Sequence, residues 1–119
     1  MQFLKETRRF YVATVDNGKP KIRPFGAVME FENKLYINTA NTKDVYKQII
    51  ANPYISICAC NDSRKWIRIE GIAKLDERII AKQRMIDENP VLLQSKRVTS
   101  AQDATMAIFC IDKVSIKFY

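Results

Sequence analysis

The sequence predicts a mainly β (α+β) domain in which six antiparallel strands close into a small barrel with two or three small helices. Three observations support this prediction. Short segments rich in β-branched and aromatic residues recur along the chain, and compact turn motifs separate them. Two further segments fit short helices, and an Asn-Pro pair follows each of them. Closure into a barrel would also remove the unpaired edges that an open sheet exposes.

The N-terminal third predicts a three-stranded meander. Phe10–Val15 is rich in β-forming residues, and the turn motif Asp-Asn-Gly at 16–18 follows it. A second strand is expected over Lys21–Phe31, a turn at Glu32-Asn33, and a third strand over Lys34–Thr39. Strands joined by turns this short pair as antiparallel neighbours.

The remainder of the chain alternates helices with strands. One helix is predicted over Asp44–Ala51 and another over Glu77–Glu88, because Asn-Pro ends each segment. The three remaining strands are predicted over Tyr54–Cys60, Lys65–Leu75 and Met106–Tyr119. Residues 91–105 are compatible with either a short helix or a loop.

Length and composition limit the class of protein. The 119 residues, of which 47% are hydrophobic, predict a single domain over residues 1–119 with a core of its own. No apolar stretch approaches the roughly 20 residues of a membrane span, and the N-terminal residues lack the apolar stretch of a signal peptide. Cys58, Cys60 and Cys110 are odd in number and are expected to be reduced thiols, so a cytoplasmic location is expected.

The charge and the missing histidines exclude several functions. The formal net charge is +7, but the basic residues are spread along the chain without a nucleic-acid-binding motif, so nucleic acid is disfavoured as a partner. The absence of histidine excludes His-based catalytic triads and His metal sites. Cys58 and Cys60 would share one side of a strand, but nothing nearby completes a four-ligand metal site. A cofactor is therefore the expected source of any chemistry.

The segment NTANTKDVYKQ, which begins at Asn38, suggests an anion site. Lys43 and Lys47 would share one helix face, where like charges repel, and a lysine in the first helical turn opposes the helix dipole. A phosphate or carboxylate at the helix start would relieve both effects, because backbone N–H groups, hydroxyls and ammonium groups would converge on it. The alternative is an ordinary N-cap at Asn41 or Thr42 followed by solvated lysines.

Two residues interrupt the second predicted strand. Pro24 has no N–H to give to a β-ladder, and Gly26 has no side chain to pack. The segment Arg-Pro-Phe-Gly at 23–26 is therefore interpreted as backbone that faces something other than a neighbouring strand. A bulge that bends the strand at a barrel corner is the alternative, and the two interpretations are compatible.

Trp66 departs from the pattern of core residues. In the segment WIRIEG, Ile67 and Ile69 share one face of the predicted strand. Trp66 then lies with Arg68 and Glu70 on the polar face. A tryptophan among charges is typical of an interface or a ligand contact. The alternative is cross-strand packing on an exposed surface.

The succession of these segments resembles the pyridoxamine 5′-phosphate oxidase-like family. It comprises Arg-Pro-Phe-Gly (23–26), Leu-Tyr-Ile-Asn-Thr (35–39), Thr-Lys (42–43), Asn-Pro-Tyr-Ile-Ser-Ile (52–57) and Trp-Ile-Arg-Ile-Glu-Gly (66–71). The resemblance covers nearly the whole chain and implies an FMN-binding split β-barrel that forms a homodimer with FMN at the interface.

The resemblance also implies which residues contact the FMN. The flavin would be lined by Arg23, Pro24, Phe25 and Gly26, and its ring or ribityl chain would meet Asn38 and Thr39. The phosphate would be held by Asn41, Thr42, Lys43 and Lys47. The second subunit would contribute Trp66. Either Lys43 or Lys47 fits as the main phosphate ligand, because Lys43 lies farther from Asn52-Pro53 than in well-known members.

The function implied by the resemblance is that of a small FMN-dependent oxidoreductase. It would pass electrons from a reduced nicotinamide or similar donor to an unidentified small acceptor, with water, Tyr36 or Glu70 as the source of protons. Pyridoxamine-phosphate oxidation is not expected, because the C-terminal extension with the pyridoxal-phosphate contacts is lacking. The histidine of the nitroimidazole-reductase branch is also lacking. The alternative is a non-catalytic flavin-binding or stress-associated module, and heme binding is disfavoured without an axial histidine.

Overall fold

The structure is a computed structural model that describes residues 2–7 and 9–119. In chain order its elements are α1 (Gln2–Glu6), β1 (Phe10–Asp16), β2 (Lys19–Phe25), β3 (Val28–Phe31), β4 (Lys34–Ala40), α2 (Asp44–Ala51), β5 (Tyr54–Cys60), β6 (Trp66–Asp76), α3 (Ile79–Glu88), α4 (Val91–Gln94) and β7 (Met106–Phe118). None of the helices in the described ranges has the length and apolar character needed to cross a membrane.

The strands form one antiparallel sheet with the order β2-β1-β5-β6-β7-β4-β3. Strands β2 and β3 follow each other in the chain, yet they lie at opposite ends of this order. The sheet is therefore mainly β and antiparallel as predicted, but it is not closed. A seven-stranded open sheet is consistent with a split barrel and corrects the expectation of six strands in a closed barrel.

The difference arises because the predicted strand Lys21–Phe31 is two strands. Pro24 still pairs with Tyr11 of β1, but it has no N–H to extend the ladder to a further strand. The chain leaves this ladder at Gly26 and Ala27 and continues as β3, which pairs with β4 instead. The interruption seen in the sequence is therefore the point where the barrel is split.

Both predicted hairpin turns are confirmed. Asn17 and Gly18 have φ angles of 53° and 78°, and Glu32 and Asn33 have φ angles of 53° and 62°. Two successive residues with positive φ are typical of a type I′ turn, whose twist matches that of the strands it joins. The register of β1 with β2 and of β3 with β4 follows from these turns.

Alternating residues of the strands bury one apolar cluster on the inner face of the sheet. On β5, Ile55, Ile57 and Ala59 are buried, as their alternation predicts. Phe25 at the end of β2 and Val28 at the start of β3 belong to the same cluster, so both free edges curve toward one interior. Each fully buried side chain of this kind contributes about 1.5–3 kcal/mol.

A second apolar cluster covers the other face of β3, β4 and β7. Helices α3 and α4 contribute Ala81, Met85 and Leu92 to it, and the strands contribute residues such as Met29 and Ile108. Strands β3, β4 and β7 are therefore covered on both faces. This layer places α4 and the segment after it beside the split in the sheet.

Asp103 orders the segment between α4 and β7. Its carboxylate accepts hydrogen bonds from the backbone N–H and hydroxyl groups of Thr99 and Thr105 at 2.8–3.1 Å. These bonds, first among them the one from the Thr105 N–H, lower the pKa of Asp103 to about 2. Residues 91–105, which the sequence left undecided, are thus a short helix followed by an ordered loop.

Asp76, at the end of β6, links β4 to the start of α3. The Tyr36 hydroxyl donates to Asp76 Oδ2 at 2.8 Å, and Arg78 Nη2 pairs with the same oxygen at 2.8 Å. The hydrogen bonds from Arg78 lower the pKa of Asp76 to about 2. Burial, followed by the bond to Asp76, raises the pKa of Tyr36.

We expect Asp76→Asn to lower the free energy of unfolding by about 1–2 kcal/mol at pH 7. The folded-state pKa of Asp76, about 2, lies below the ordinary value near 4. Its stabilising contribution is therefore complete above pH ~5 and is lost as the pH falls toward 2. Urea unfolding at several pH values should show the gap between parent and variant closing in acid, and a gap that stays constant would contradict this account.

Candidate functional site

A cleft of about 390 Å³ lies where β2 has ended and β3 has not yet begun. Its walls come from the β2–β3 junction, the C-terminal half of β4, the start of α2 and the segment after α4. Seven of the predicted cofactor contacts line it: Arg23, Pro24, Phe25, Gly26, Asn38, Thr39 and Lys43. The split in the sheet thus gathers residues that lie far apart in the sequence.

One wall of this cleft was not predicted. It consists of Leu92, Arg97, Val98 and Met106. Val98 is buried and its backbone N–H donates to the Leu92 carbonyl at 3.1 Å, while Lys96 has a φ of 60° that turns the chain just before Arg97. The basic pair Lys96-Arg97 was the sequence signal that could have indicated this wall. It was missed because the sequence did not decide between a helix and a loop for residues 91–105.

Arg23, on β2, is held by three uncharged acceptors. Its Nη1 donates to the Val12 carbonyl at 3.1 Å and to Thr14 Oγ1 at 2.8 Å, and its Nη2 donates to Gln48 Oε1 at 2.5 Å. Burial lowers the pKa of Arg23 and the Asp44 carboxylate raises it, but arginine remains charged in proteins. Among the described residues Arg23 makes no ion pair with a carboxylate, so it presents an oriented cation, although the Asp44 carboxylate is close enough to act on its charge.

Helix α2 begins at Asp44 as predicted, but its N-cap residue differs from the predicted one. Lys43 is the N-cap residue and Asp44 is the first helical residue, so Lys43 does not lie in the first turn and neither Asn41 nor Thr42 is the N-cap. In the part of the chain that the structure describes, no side chain caps the helix, so the N–H groups of its first turn have no side-chain acceptor there. Lys47 is exposed and does not line the cleft.

Asn41 ties β4 to the chain just before β7. Its Nδ2 donates to the Ala104 carbonyl at 2.9 Å, and its backbone N–H donates to the Thr105 carbonyl at 2.9 Å. Thr42 is exposed beside it, and neither residue lines the cleft. Of the four residues predicted at the phosphate, Lys43 is the one that the structure brings to the cleft wall.

Asn38 offers an unsatisfied acceptor at the cleft. It lies on β4 opposite Ile108 of β7, and its side-chain Oδ1 is buried without a hydrogen-bond partner in the described part of the chain. A buried polar atom left unpaired costs about 1–3 kcal/mol, so nearly all such atoms are paired. A ligand N–H or O–H in this cleft would pair with it.

The charged side chains on the cleft wall all carry the same sign. They are Arg23, Lys43 and Arg97, and no acidic residue of the described ranges lines the cleft. A second groove of about 430 Å³ adjoins it and shares Arg23, Lys43 and Val45 with it. The size, the basic wall and the unpaired amide oxygen fit a medium-sized ligand with an anionic end.

A larger groove of about 660 Å³ lies on the outer face of the sheet across β1, β5 and β6. None of the predicted cofactor contacts lines it, and among the described residues Glu70 is the only charged one that does, so it does not suit an anion. The two proposed proton donors thus lie away from the cleft of the same chain. Glu70 lines the outer groove, and Tyr36 is buried against Asp76.

Trp66 also lies outside this cleft within its own chain. Its ring stacks on that of Tyr119 with the centroids 4.0 Å apart and the planes at 10°, and the Arg68 guanidinium lies over both rings. The predicted role of Trp66 at a flavin therefore requires a second copy of the chain. Within one chain, the contacts of Trp66 match the alternative interpretation, which is cross-strand packing on a surface.

Comparison with known proteins gives a family match and a shared fold. Residues 1–101 match the family described as pyridoxamine 5′-phosphate oxidase. Among curated proteins no significant match is found.

Several solved structures superpose on nearly the whole chain. A NimC/NimA family protein from Clostridium acetobutylicum is 38% identical, with a TM-score of 0.92, and the match covers 99% of this chain and 83% of that one. General Stress Protein 26 from Bacillus anthracis str. Sterne is 21% identical, with a TM-score of 0.79 and coverage of 99% and 92%. HutZ, described as a heme storage protein from Vibrio cholerae, is 16% identical, with a TM-score of 0.76 and coverage of 98% and 89%. The last two likenesses show the fold alone.

Proposed function

The chain belongs to the pyridoxamine 5′-phosphate oxidase family, and from this premise we propose that its cleft binds FMN and that the protein is a small FMN-dependent oxidoreductase. The observation that carries the proposal is the buried, unpaired Asn38 Oδ1 in a cleft whose charged wall residues are all basic. FMN offers a partner to each feature, since it has N–H and O–H groups for the amide oxygen and a phosphate for the cations.

The residues of the cleft fit the parts of this cofactor. Arg23 and Lys43 would hold the phosphate with the N–H groups at the start of α2. Asn38 and Thr39 would contact the ring or the ribityl chain, and Gly26 presents backbone without a side chain to an approaching ligand. The bound flavin would supply hydride exchange, while the protein supplies binding, orientation and electrostatics.

Lys43, and not Lys47, is the expected lysine ligand of the phosphate. Lys43 lines the cleft, whereas Lys47 is exposed outside it. Lys43→Ala should therefore weaken FMN binding about tenfold, as the loss of a charge-assisted contact of roughly 1.5 kcal/mol predicts. Lys47→Ala is the matched control and should change it less than about twofold. Flavin-fluorescence titrations with FMN and riboflavin measure both, and equal losses for the two variants would contradict the assignment.

A homodimer is the second part of the proposal. The sheet face opposite the inner core carries exposed apolar side chains such as Ile22 and Tyr54, which are 68% and 65% exposed. Trp66 needs a second copy to reach a flavin, and twofold symmetric pairs are the commonest assembly. We therefore infer two FMN sites per dimer, each receiving Trp66 from the other chain.

Trp66 gives this arrangement a spectroscopic test. It is the only tryptophan in the chain, so FMN binding should quench the tryptophan emission strongly if Trp66 contacts the flavin. Trp66→Ala should loosen the flavin and the dimer together by about 0.5–1.5 kcal/mol beyond the lost apolar area, and Trp66→Phe by much less. Unchanged emission during FMN titration, or an alanine variant with the FMN affinity of the parent, would remove Trp66 from the site.

Protons for the substrate are expected from water. Neither Tyr36 nor Glu70 lines the cleft of its own chain. Burial and the bond to Asp76 raise the pKa of Tyr36, which makes its hydroxyl a poor acid. The chain's contribution to turnover would then be an oriented cofactor and an open face for a reduced nicotinamide donor and a small acceptor.

The alternative function is a flavin-binding module without turnover, which the same cleft would serve. Likeness to General Stress Protein 26 and to HutZ extends only to the fold, and the chain has no histidine to serve as the usual heme ligand. The absorption spectrum of the purified protein tests the cofactor. Flavin bands at about 375 and 450 nm are expected, and a protein that binds neither FMN nor riboflavin would overturn the proposal. Rapid bleaching of these bands by NAD(P)H, followed by reoxidation with an acceptor, would distinguish the reductase from the module.

A further inference from the structure

The contacts of Arg23 leave one specific edge of its guanidinium unused. Nη1 has two hydrogens, and it donates to both the Val12 carbonyl and Thr14 Oγ1. Nη2 donates one hydrogen to Gln48 Oε1. Five N–H groups are fixed in one plane by the chemistry of the group, so two of them, Nε–H and the second Nη2–H, have no partner among the described residues.

The position of the two acceptors identifies the free edge. Thr14 Oγ1 donates its own hydrogen to Gln48 Oε1 at 2.6 Å, so these two oxygens are neighbours. They therefore occupy the end of the guanidinium between Nη1 and Nη2, and Val12 occupies the far side of Nη1. The remaining edge, Nε with Nη2, is the parallel pair of donors that matches two oxygens of a phosphate or carboxylate.

We propose that Thr14 and Gln48 are positioning residues, which hold Arg23 by its terminal edge so that its Nε/Nη2 edge binds the phosphate of the cofactor. This inference rests on the proposed function. Thr14 is 2% exposed on β1, and Gln48 lies on α2, whose N-terminus borders the cleft. The three residues thus join β1, β2 and α2, and they fix the arginine relative to the helix start where Lys43 lies.

The chemistry of the pair suits this role. The threonine hydroxyl accepts from Arg23 and donates to Gln48, and the amide oxygen of Gln48 accepts from both other residues. The oxygens of Thr14 and Gln48 are thus engaged with one another and with the terminal edge of Arg23, and no carboxylate takes part. An acidic residue in place of Gln48 would hold Arg23 as firmly but would cancel the charge that an anionic ligand needs, so a neutral acceptor serves both purposes.

Thr14→Val tests the proposal, because it removes the hydroxyl at nearly constant volume, and Thr14→Ser is the matched control that retains the hydroxyl. We expect Thr14→Val to raise the Kd for FMN about three- to tenfold, the effect of one misplaced charge-assisted contact, with the Kd for riboflavin unchanged. Thr14→Ser should recover most of the FMN affinity. Gln48→Met, which removes the amide oxygen, should reproduce the effect of Thr14→Val and stands in if that variant does not fold.

A double-mutant cycle separates positioning from a general loss of structure. In an Arg23→Lys background the arginine edge is gone, so adding Thr14→Val should change the ratio of the FMN and riboflavin Kd values by less than about twofold. If Thr14→Val raised the Kd for FMN in the Arg23→Lys background as much as in the parent, or if it raised the Kd values for FMN and riboflavin equally, the positioning role would be overturned. The proposal that the protein binds FMN would still stand in that case. A parent protein that binds FMN no better than riboflavin would overturn the phosphate site itself, and with it this inference.

Discussion

Replacing Arg23 by alanine is expected to weaken FMN binding about 10- to 100-fold and to leave riboflavin binding nearly unchanged. A hydrogen bond to a charged group contributes roughly 1.5–3 kcal/mol, and a bidentate arginine lies toward the upper end of this range. The effect should be specific to the phosphate because riboflavin lacks it. Thr14 donates to Gln48 at 2.6 Å in a hydrogen bond that does not involve Arg23, so we expect the link between β1 and α2 to survive the change.

Titrations of FMN and riboflavin into apoprotein at two salt concentrations measure this effect. Lys19→Ala provides the control, since Lys19 is an exposed cation on the same strand that lines neither the cleft nor the adjoining groove. Its loss should change either Kd less than about twofold. If Arg23→Ala weakened both flavins equally, Arg23 would support the fold of the cleft and would not contact the phosphate.

Gly71→Ala is expected to destabilise the protein by about 2–3 kcal/mol and to lower its Tm by on the order of 10 °C. A Cβ added at Gly71 would lie 2.7 Å from Cγ2 of Ile111 and 2.8 Å from the backbone oxygen of Asp112. The isoleucine methyl can move, but the carbonyl belongs to β7, which pairs with β6 at this point. The register between these strands shifts between Glu70 and Ile72, so Gly71 lies in a bulge where the two backbones approach closely.

The sign of the stability difference between parent and Gly71→Ala tests the close approach of the two strands. In an ordinary strand position alanine is about 0.5–1 kcal/mol more favourable than glycine, so the substitution would stabilise the protein there. Thermal and urea unfolding of parent and variant measure the difference. Glu70→Ala, at the exposed neighbouring position, should stay within about 0.5 kcal/mol of the parent. A Gly71→Ala variant as stable as the parent would mean that the bulge can relax.

The local elements were predictable because their causes are local. The helix over Asp44–Ala51 and the strand over Tyr54–Cys60 have the predicted bounds, since Asn52-Pro53 ends the one and begins the other. The hairpin turns were predictable because few residues adopt two successive positive φ angles without cost. Helix α1 was not predicted, because five residues carry no periodic pattern, and packing of Leu4 into the core stabilises it.

The candidate site was predictable in part. Resemblance to the family pointed to Arg23–Gly26, Asn38, Thr39 and Lys43, and the structure brings these residues to one cleft. The contacts of Asn41, Thr42, Lys47 and Trp66 with a cofactor remain predictions, since none of them lines this cleft in a single chain. Arg97 escaped prediction because its segment has neither helical nor strand periodicity, and its place depends on the packing of Val98 and Leu92.

The sequence by itself determined the antiparallel hairpins, the C-terminal ends of α2 and α3, and the interruption at Pro24 and Gly26. Each depends on backbone chemistry that acts over a few residues, such as a missing N–H or a permitted positive φ. The tertiary structure alone decided that this interruption is the split in the barrel, because that depends on which strand pairs with β3. It also decided that Thr14 and Gln48 form hydrogen bonds with Arg23. These three residues, separated by up to 34 positions, meet only after β1, β2 and α2 have packed together.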